Sequence, residues 1–355
     1  GALGLGDTIS RKQFTLIQWP QVDSPRIAKV AAGSGDIGSH SLAIDENGAL
    51  YSWGVAYSCG HGDVQPVLAP TIVTSFPIPK SDDEESTLLT DDDDDDGITP
   101  NITKVSVPVR DIAAGSGVSV VITKSGRVAT FGMWAHGRLG QGPTPFRESR
   151  GKRKLARYQL RPRYLDIGGD WNENGVYVAN KAIQIASGDS HSLCLLQNGS
   201  VLSWGHNSCG QTGNGVSASG FLRDSLVPTI VTPFDGNSSS NSGGSSNGGE
   251  SHTNNSHTIN TQATSIDPSS GVRVESIACG AHHSICIYER GCVWTWGARG
   301  ADCLGHYDCQ IEGDWAARLS GVFAAGTNSP KVMVPYELLD WCRKWSKPRR
   351  IISLG

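Results

Sequence analysis

The chain has 355 residues, among them 44 Gly, 17 Pro and 10 Trp, with a formal net charge of -4. So much Gly without a Gly-X-Y period excludes collagen and points to many tight turns, while sparse aromatics dominated by Trp suit an all-β chain. The small net charge conceals a segregation: residues 82–96 carry ten acids and no base, and residues 147–163 carry eight bases and one acid.

In chain order, the first element is a Gly-rich turn, GALGLGD over residues 1–7, which has no hairpin before it and reads as a partial unit. Four complete units follow, with cores over 27–76, 109–142, 182–234 and 272–307. Each opens on an apolar residue and a Gly and closes on an aromatic-Gly pair: Trp53-Gly54, Phe131-Gly132, Trp204-Gly205 and Trp296-Gly297. The opening and closing glycines are 17 residues apart in the last three units, and 21 apart in the first, where four residues are inserted after Gly35.

Between those glycines lie two short apolar or alternating runs joined by a turn such as Gln197-Asn-Gly199. Alternation is the signature of a half-buried strand, and Asn-Gly takes positive φ readily. A Gly-rich turn follows each aromatic-Gly pair. A further Pro-led strand then recurs, APTIVT over 69–74 and VPTIVT over 227–232, with looser copies over 160–165 and 332–336. Pro is tolerated at a strand start because it need not donate to the ladder. The sum is about four strands per unit, the size of a propeller blade. Residues 348–355 read as the opening of another partial unit.

This order of apolar residue, Gly, His-Ser, hairpin turn, aromatic-Gly, Gly-rich turn and Pro-led strand resembles the regulator of chromosome condensation repeat. The resemblance implies a seven-bladed β-propeller, so four whole blades and two partial ones lead us to expect a segment of a longer chain. A first residue that is Gly1 rather than Met adds to that expectation. The family also implies functions. Its founding member is a guanine-nucleotide exchange factor for a small GTPase and associates with chromatin. Similar repeats recruit substrates in HECT-type ubiquitin ligases.

Four insertions are expected to be disordered or irregular. Two of them, 77–104 and 235–271, are too acidic or too rich in Ser, Asn and Gly to bury a core. The others are the basic stretch 143–158 and the mixed stretch 308–329, in which residues 312–318 read as a short helical turn.

Few residues suggest chemistry. His40, His191 and His283 each precede a Ser, but a catalytic pair is single, whereas these recur at one repeat position. They read as structural, as do the interblade aromatics Trp53, Phe131, Trp204 and Trp296 and the closing glycines Gly54, Gly132, Gly205 and Gly297. Cys303 and Cys309 flank a His, but the spacing fits no zinc finger, so neither metal nor cofactor is expected. The sequence points to a binding scaffold and not to an enzyme. Its candidate contacts for a polyanion or protein partner are Arg147, Arg150, Lys152, Arg153, Lys154, Arg157, Arg161 and Arg163. That partner is a protein, with a small GTPase as one candidate, or chromatin or nucleic acid reached through the basic insertion. Nine Cys without a framework spacing indicate reduced thiols and an intracellular location, cytoplasm or nucleus, and no apolar run is long enough to span a membrane.

Overall fold

Turn-punctuated alternation makes every repeat an antiparallel meander. The first blade pairs β1 (Ile27–Ala32), β2 (His40–Asp45), β3 (Leu50–Gly54) and β4 (Val67–Ile72) in sequence order. The second has β5 (Val109–Ala114), β6 (Val118–Thr123) and β7 (Val128–Met133). A hairpin of β8 (Phe146–Ser149) and β9 (Lys152–Leu155) then intervenes before the outer strand β10 (Tyr158–Tyr164). A small hairpin, β11 (Gly169–Trp171) with β12 (Tyr177–Ala179), leads into the third blade. That blade is β13 (Ala182–Ser187), β14 (His191–Leu196), β15 (Val201–Gly205) and β16 (Ser225–Ile230). The fourth is β17 (Val274–Cys279), β18 (His283–Tyr288), β19 (Cys292–Gly297) and β20 (Arg349–Arg350).

This computed structural model describes residues 1–19, 24–33, 39–77, 107–149, 152–155, 157–171, 177–214, 222–231, 273–288, 292–298 and 349–350. Among them there is no α-helix, and no helix long and apolar enough to cross a membrane. The architecture is that of a β-propeller. Two local expectations are revised. Phe146–Leu155, expected to be irregular, pairs residue for residue as a hairpin. Arg349–Arg350, expected to open a further unit, instead pairs with Trp294 and Thr295 as the outer strand of the fourth blade. The insertions over 77–104 (apart from Pro77), 235–271 and 308–329, and the strand copy over 332–336, lie outside the described residues.

The core lies between blades and not within them. One buried cluster joins Val118, Val120 and Ile122 of β6 to Ile185, Cys194 and Trp204 of the third blade. The intervening Val121 turns the other way, into a cluster with Leu42 and Ile44 of the first blade. Leu193 and Leu195 of β14 meet Ile277 and Cys286 of the fourth. Successive strand residues point to opposite faces, and a blade inside the stack has both faces covered. This is why β2, β6 and β14 are buried almost along their full length.

A β-bulge recurs in every first strand, before Lys29, Asp111, Gln184 and Ser276. Bulges re-aim the side chain that follows them, and here three of the four reach a neighbouring blade. Lys29 Nζ pairs with Asp111 Oδ1, and Asp111 Oδ2 accepts the Ile185 N–H at 3.1 Å. Gln184 brackets Ile277, its amide donating to the carbonyl and accepting the N–H, both at 3.1 Å. The inner-edge strands of the third and fourth blades, which would otherwise expose backbone groups, are met by the preceding blade's side chains.

Candidate functional site

Each junction is built by a Gly-rich turn that docks on the next blade. In these turns Gly4, Gly60, Gly140 and Gly213 lie under Trp53, Phe131, Trp204 and Trp296 respectively. A Cβ at any of the four would meet the ring at 2.7–2.9 Å, and each has φ between +66° and +80°. Only Gly satisfies both constraints at low cost. Two residues further on, Gly6, Gly62 and Gly142 donate their N–H to Leu68, Leu160 and Leu226 of the next outer strand, each at 2.9 Å. The Pro-led strands thus have a defined place. Pro70, Pro162 and Pro228 fall where the outer strand slips register against its neighbour, so no ladder donor is missed.

The His-Ser positions form relays across junctions. His40 Nε2 lies 2.8 Å from Ser119 Oγ, and that hydroxyl donates to the Ser58 carbonyl at 2.7 Å. His191 Nε2 lies 2.9 Å from Ser284 Oγ, which donates to the Gln211 carbonyl at 2.8 Å. With the hydroxyl proton given to a carbonyl, the ring nitrogen must be the donor. This reverses the polarity of a nucleophilic Ser-His pair, in which the imidazole takes the proton. His40 and His191 are buried, and burial lowers His191 to about 3, so its ring is neutral at physiological pH. The rings of His40, His191 and His283 also rest on the opening glycines Gly33, Gly188 and Gly280, where a Cβ would collide with them.

The basic candidates are divided in the fold between an inserted hairpin and an outer strand. Arg147, Lys152, Arg153 and Lys154 lie on the β8–β9 hairpin, and Arg150 lies outside the described residues. Arg157 and Arg163 are exposed beside and on β10, whereas Arg161 is half-buried over Gly62. A charged, Pro-containing outer strand also discourages edge-to-edge pairing.

The buried thiols are no better placed for chemistry. Burial pushes Cys59, Cys279 and Cys286 up to about 12, which leaves them protonated and unreactive.

One cluster has no counterpart in the sequence reading. At the junction of the second and third blades, His136 Nδ1 lies 3.1 Å from Asp224 Oδ2, and His206 Nε2 lies 3.9 Å from Asp224 Oδ1. The two imidazole centroids are 4.7 Å apart. His136 sits in the turn after β7, His206 directly after β15, and Asp224 directly before β16. Spacings of 70 and 18 residues match no ligand motif, so pattern reading had no signal to detect. Arg138 lies buried nearby with its Nη1 donating to the Ser116 carbonyl at 2.6 Å.

Known proteins resemble this chain at the level of its repeats. The family model described as the regulator of chromosome condensation (RCC1) repeat matches residues 182–211 and 274–299. The chain is 28% identical over 308 residues to the E3 ubiquitin-protein ligase HERC2 of Mus musculus, covering 86% of this chain and 4% of that protein. It is 26% identical over 279 residues to the mitochondrial RCC1 domain-containing protein RUG3 of Arabidopsis thaliana, covering 71% of this chain and 52% of that one. The crystal structure of human WBSCR16 superposes with a TM-score of 0.47 at 19% identity, over 80% of this chain and 51% of that one.

Proposed function

Taking as premise a β-propeller of regulator of chromosome condensation repeats, we propose that this chain is a protein-interaction scaffold, with the second blade supplying the distinctive contact. The observation that carries this reading is the β8–β9 hairpin. Among the described residues it is the only hairpin inserted between the third and fourth strands of a blade, and it bears Arg147, Lys152, Arg153 and Lys154. The repeat positions are occupied in holding blades together, so recognition falls to what the connections add. An acidic protein surface is the partner class this charge fits, and association through it weakens with salt.

The names of the relatives favour a second, compatible reading. HERC2 is an E3 ubiquitin-protein ligase, and this chain aligns with a small part of it. A scaffold of this kind within a longer protein would recruit substrates for catalysis performed elsewhere. Exchange activity on a small GTPase is a separate alternative.

The test is affinity capture from a cell extract, comparing the full chain with a variant whose residues 146–155 are replaced by a short Gly-Ser turn. Discrete proteins lost with the hairpin and with moderate salt support the scaffold reading. Equal retention by both chains rejects the hairpin as the contact. A captured small GTPase whose nucleotide release accelerates in a direct assay replaces the scaffold reading with exchange.

A further inference from the structure

We propose that His136, His206 and Asp224 form a site for a divalent transition-metal ion, zinc by chemical preference, that bridges the second and third blades. This does not rest on the scaffold reading. The three side chains each offer one ligand atom, and these atoms lie within 4.8 Å of one another. Tetrahedral zinc with bonds of about 2.0–2.1 Å separates its ligand atoms by roughly 3.3 Å. The observed contacts lie near that spacing, 3.1 Å from His136 Nδ1 to Asp224 Oδ2 and 3.9 Å from His206 Nε2 to Asp224 Oδ1, and ligation of one ion requires the three side chains to draw together from within 4.8 Å. Two imidazoles and one carboxylate are a ligand set that suits zinc and neighbouring metals and leaves a coordination position open. His136 is 52% exposed, so that position faces solvent and is reachable by water or by a partner's side chain.

The surroundings favour ligation in two ways. Asp224 Oδ1 also accepts the Asn207 N–H at 3.1 Å, an outer contact that orients the carboxylate. His136 is, among the described residues, the one non-glycine with positive φ, at +59°, a conformation that turns its side chain toward the next blade. The buried Arg138 guanidinium, whose Nη1 donates to the Ser116 carbonyl at 2.6 Å, opposes a cation, and the Asp224 carboxylate carries the charge that offsets it.

The test is titration of the reduced full chain with Co2+ and Zn2+, read by visible absorption and by thermal unfolding. Nine Cys make adventitious thiolate binding the rival, and cobalt separates the two. Nitrogen and oxygen ligands give ligand-field bands alone, whereas thiolates add strong sulfur-to-metal charge transfer. One equivalent is expected to bind with ligand-field bands only and to raise the unfolding temperature. His136→Asn and Asp224→Asn are expected to lose roughly 10–100-fold or more in affinity, at least what an outer-shell substitution costs. Both variants should fold, because Asn tolerates left-handed backbone at position 136 and Asn at position 224 still accepts the Asn207 N–H. Circular dichroism without metal verifies this. Undiminished binding in either variant, thiolate bands, or no saturable binding by the full chain overturns the site.

Discussion

The junction between the third and fourth blades and that between the second and third share one packing frame but distribute one carbonyl differently. In the first, the Gln211 carbonyl receives Ser284 Oγ from the relay begun at His191, and Trp296 Nε1 is buried without an acceptor. In the second, Val118 stands where the relay histidine would be, and Ser192 turns to Ser187 Oγ at 3.2 Å. The equivalent carbonyl, that of Arg138, is free to receive Trp204 Nε1–H at 3.0 Å. At the start of the chain the Ala2 carbonyl receives both Ser41 Oγ and Trp53 Nε1. The repeat is strict about the aromatic on its glycine, which fills volume, and permissive about polar partners as long as most buried donors are satisfied.

The largest break in this comparison is steric. Trp204→Ala is expected to cost about 3–5 kcal/mol, as truncation of a fully buried aromatic does, read from the shift in urea midpoint. The loss should be of the same order for Trp296→Ala, because the frame is shared.

Acid should separate the junctions next. His191 is held to about 3, far below its unfolded value, so between those values the unfolded chain binds the extra proton. Stability from this group is complete above pH 6.5 and falls as pH drops toward 3, by about 2 kcal/mol between pH 6.5 and 5. His191→Gln removes that share of the acid sensitivity. An unchanged pH profile in the variant would show that the relay is not where the proton enters.

The subtlest contrast is Trp→Phe. At position 204 it orphans the Arg138 carbonyl in addition to leaving a small cavity. At position 296 it removes an N–H that had no acceptor, so the loss there should be smaller by about 1–2 kcal/mol, the cavity left by the smaller ring being common to both sites. Equal losses at the two sites would mean that the carbonyl assignment does not govern the junctions.

The β-propeller repeats were legible because their determinants are local. Alternation, turn glycines and an edge proline act through neighbours in sequence, and four copies reinforce one another. For the same reason the repetition of His-Ser argued for structure over catalysis. The charged run at 146–155 misled, since its composition reads as solvated loop while its backbone pairs as a hairpin. Beyond the repeat, the sequence alone determined which residues are alike but not which of them meet. That His40 meets a serine hydroxyl 79 residues away, that Asp111 after its bulge closes the edge of the next blade, and that His136, His206 and Asp224 converge were decided by tertiary structure. Each contact joins different repeats, and its geometry depends on how one twisted sheet is rotated against the next, which no spacing within a repeat encodes.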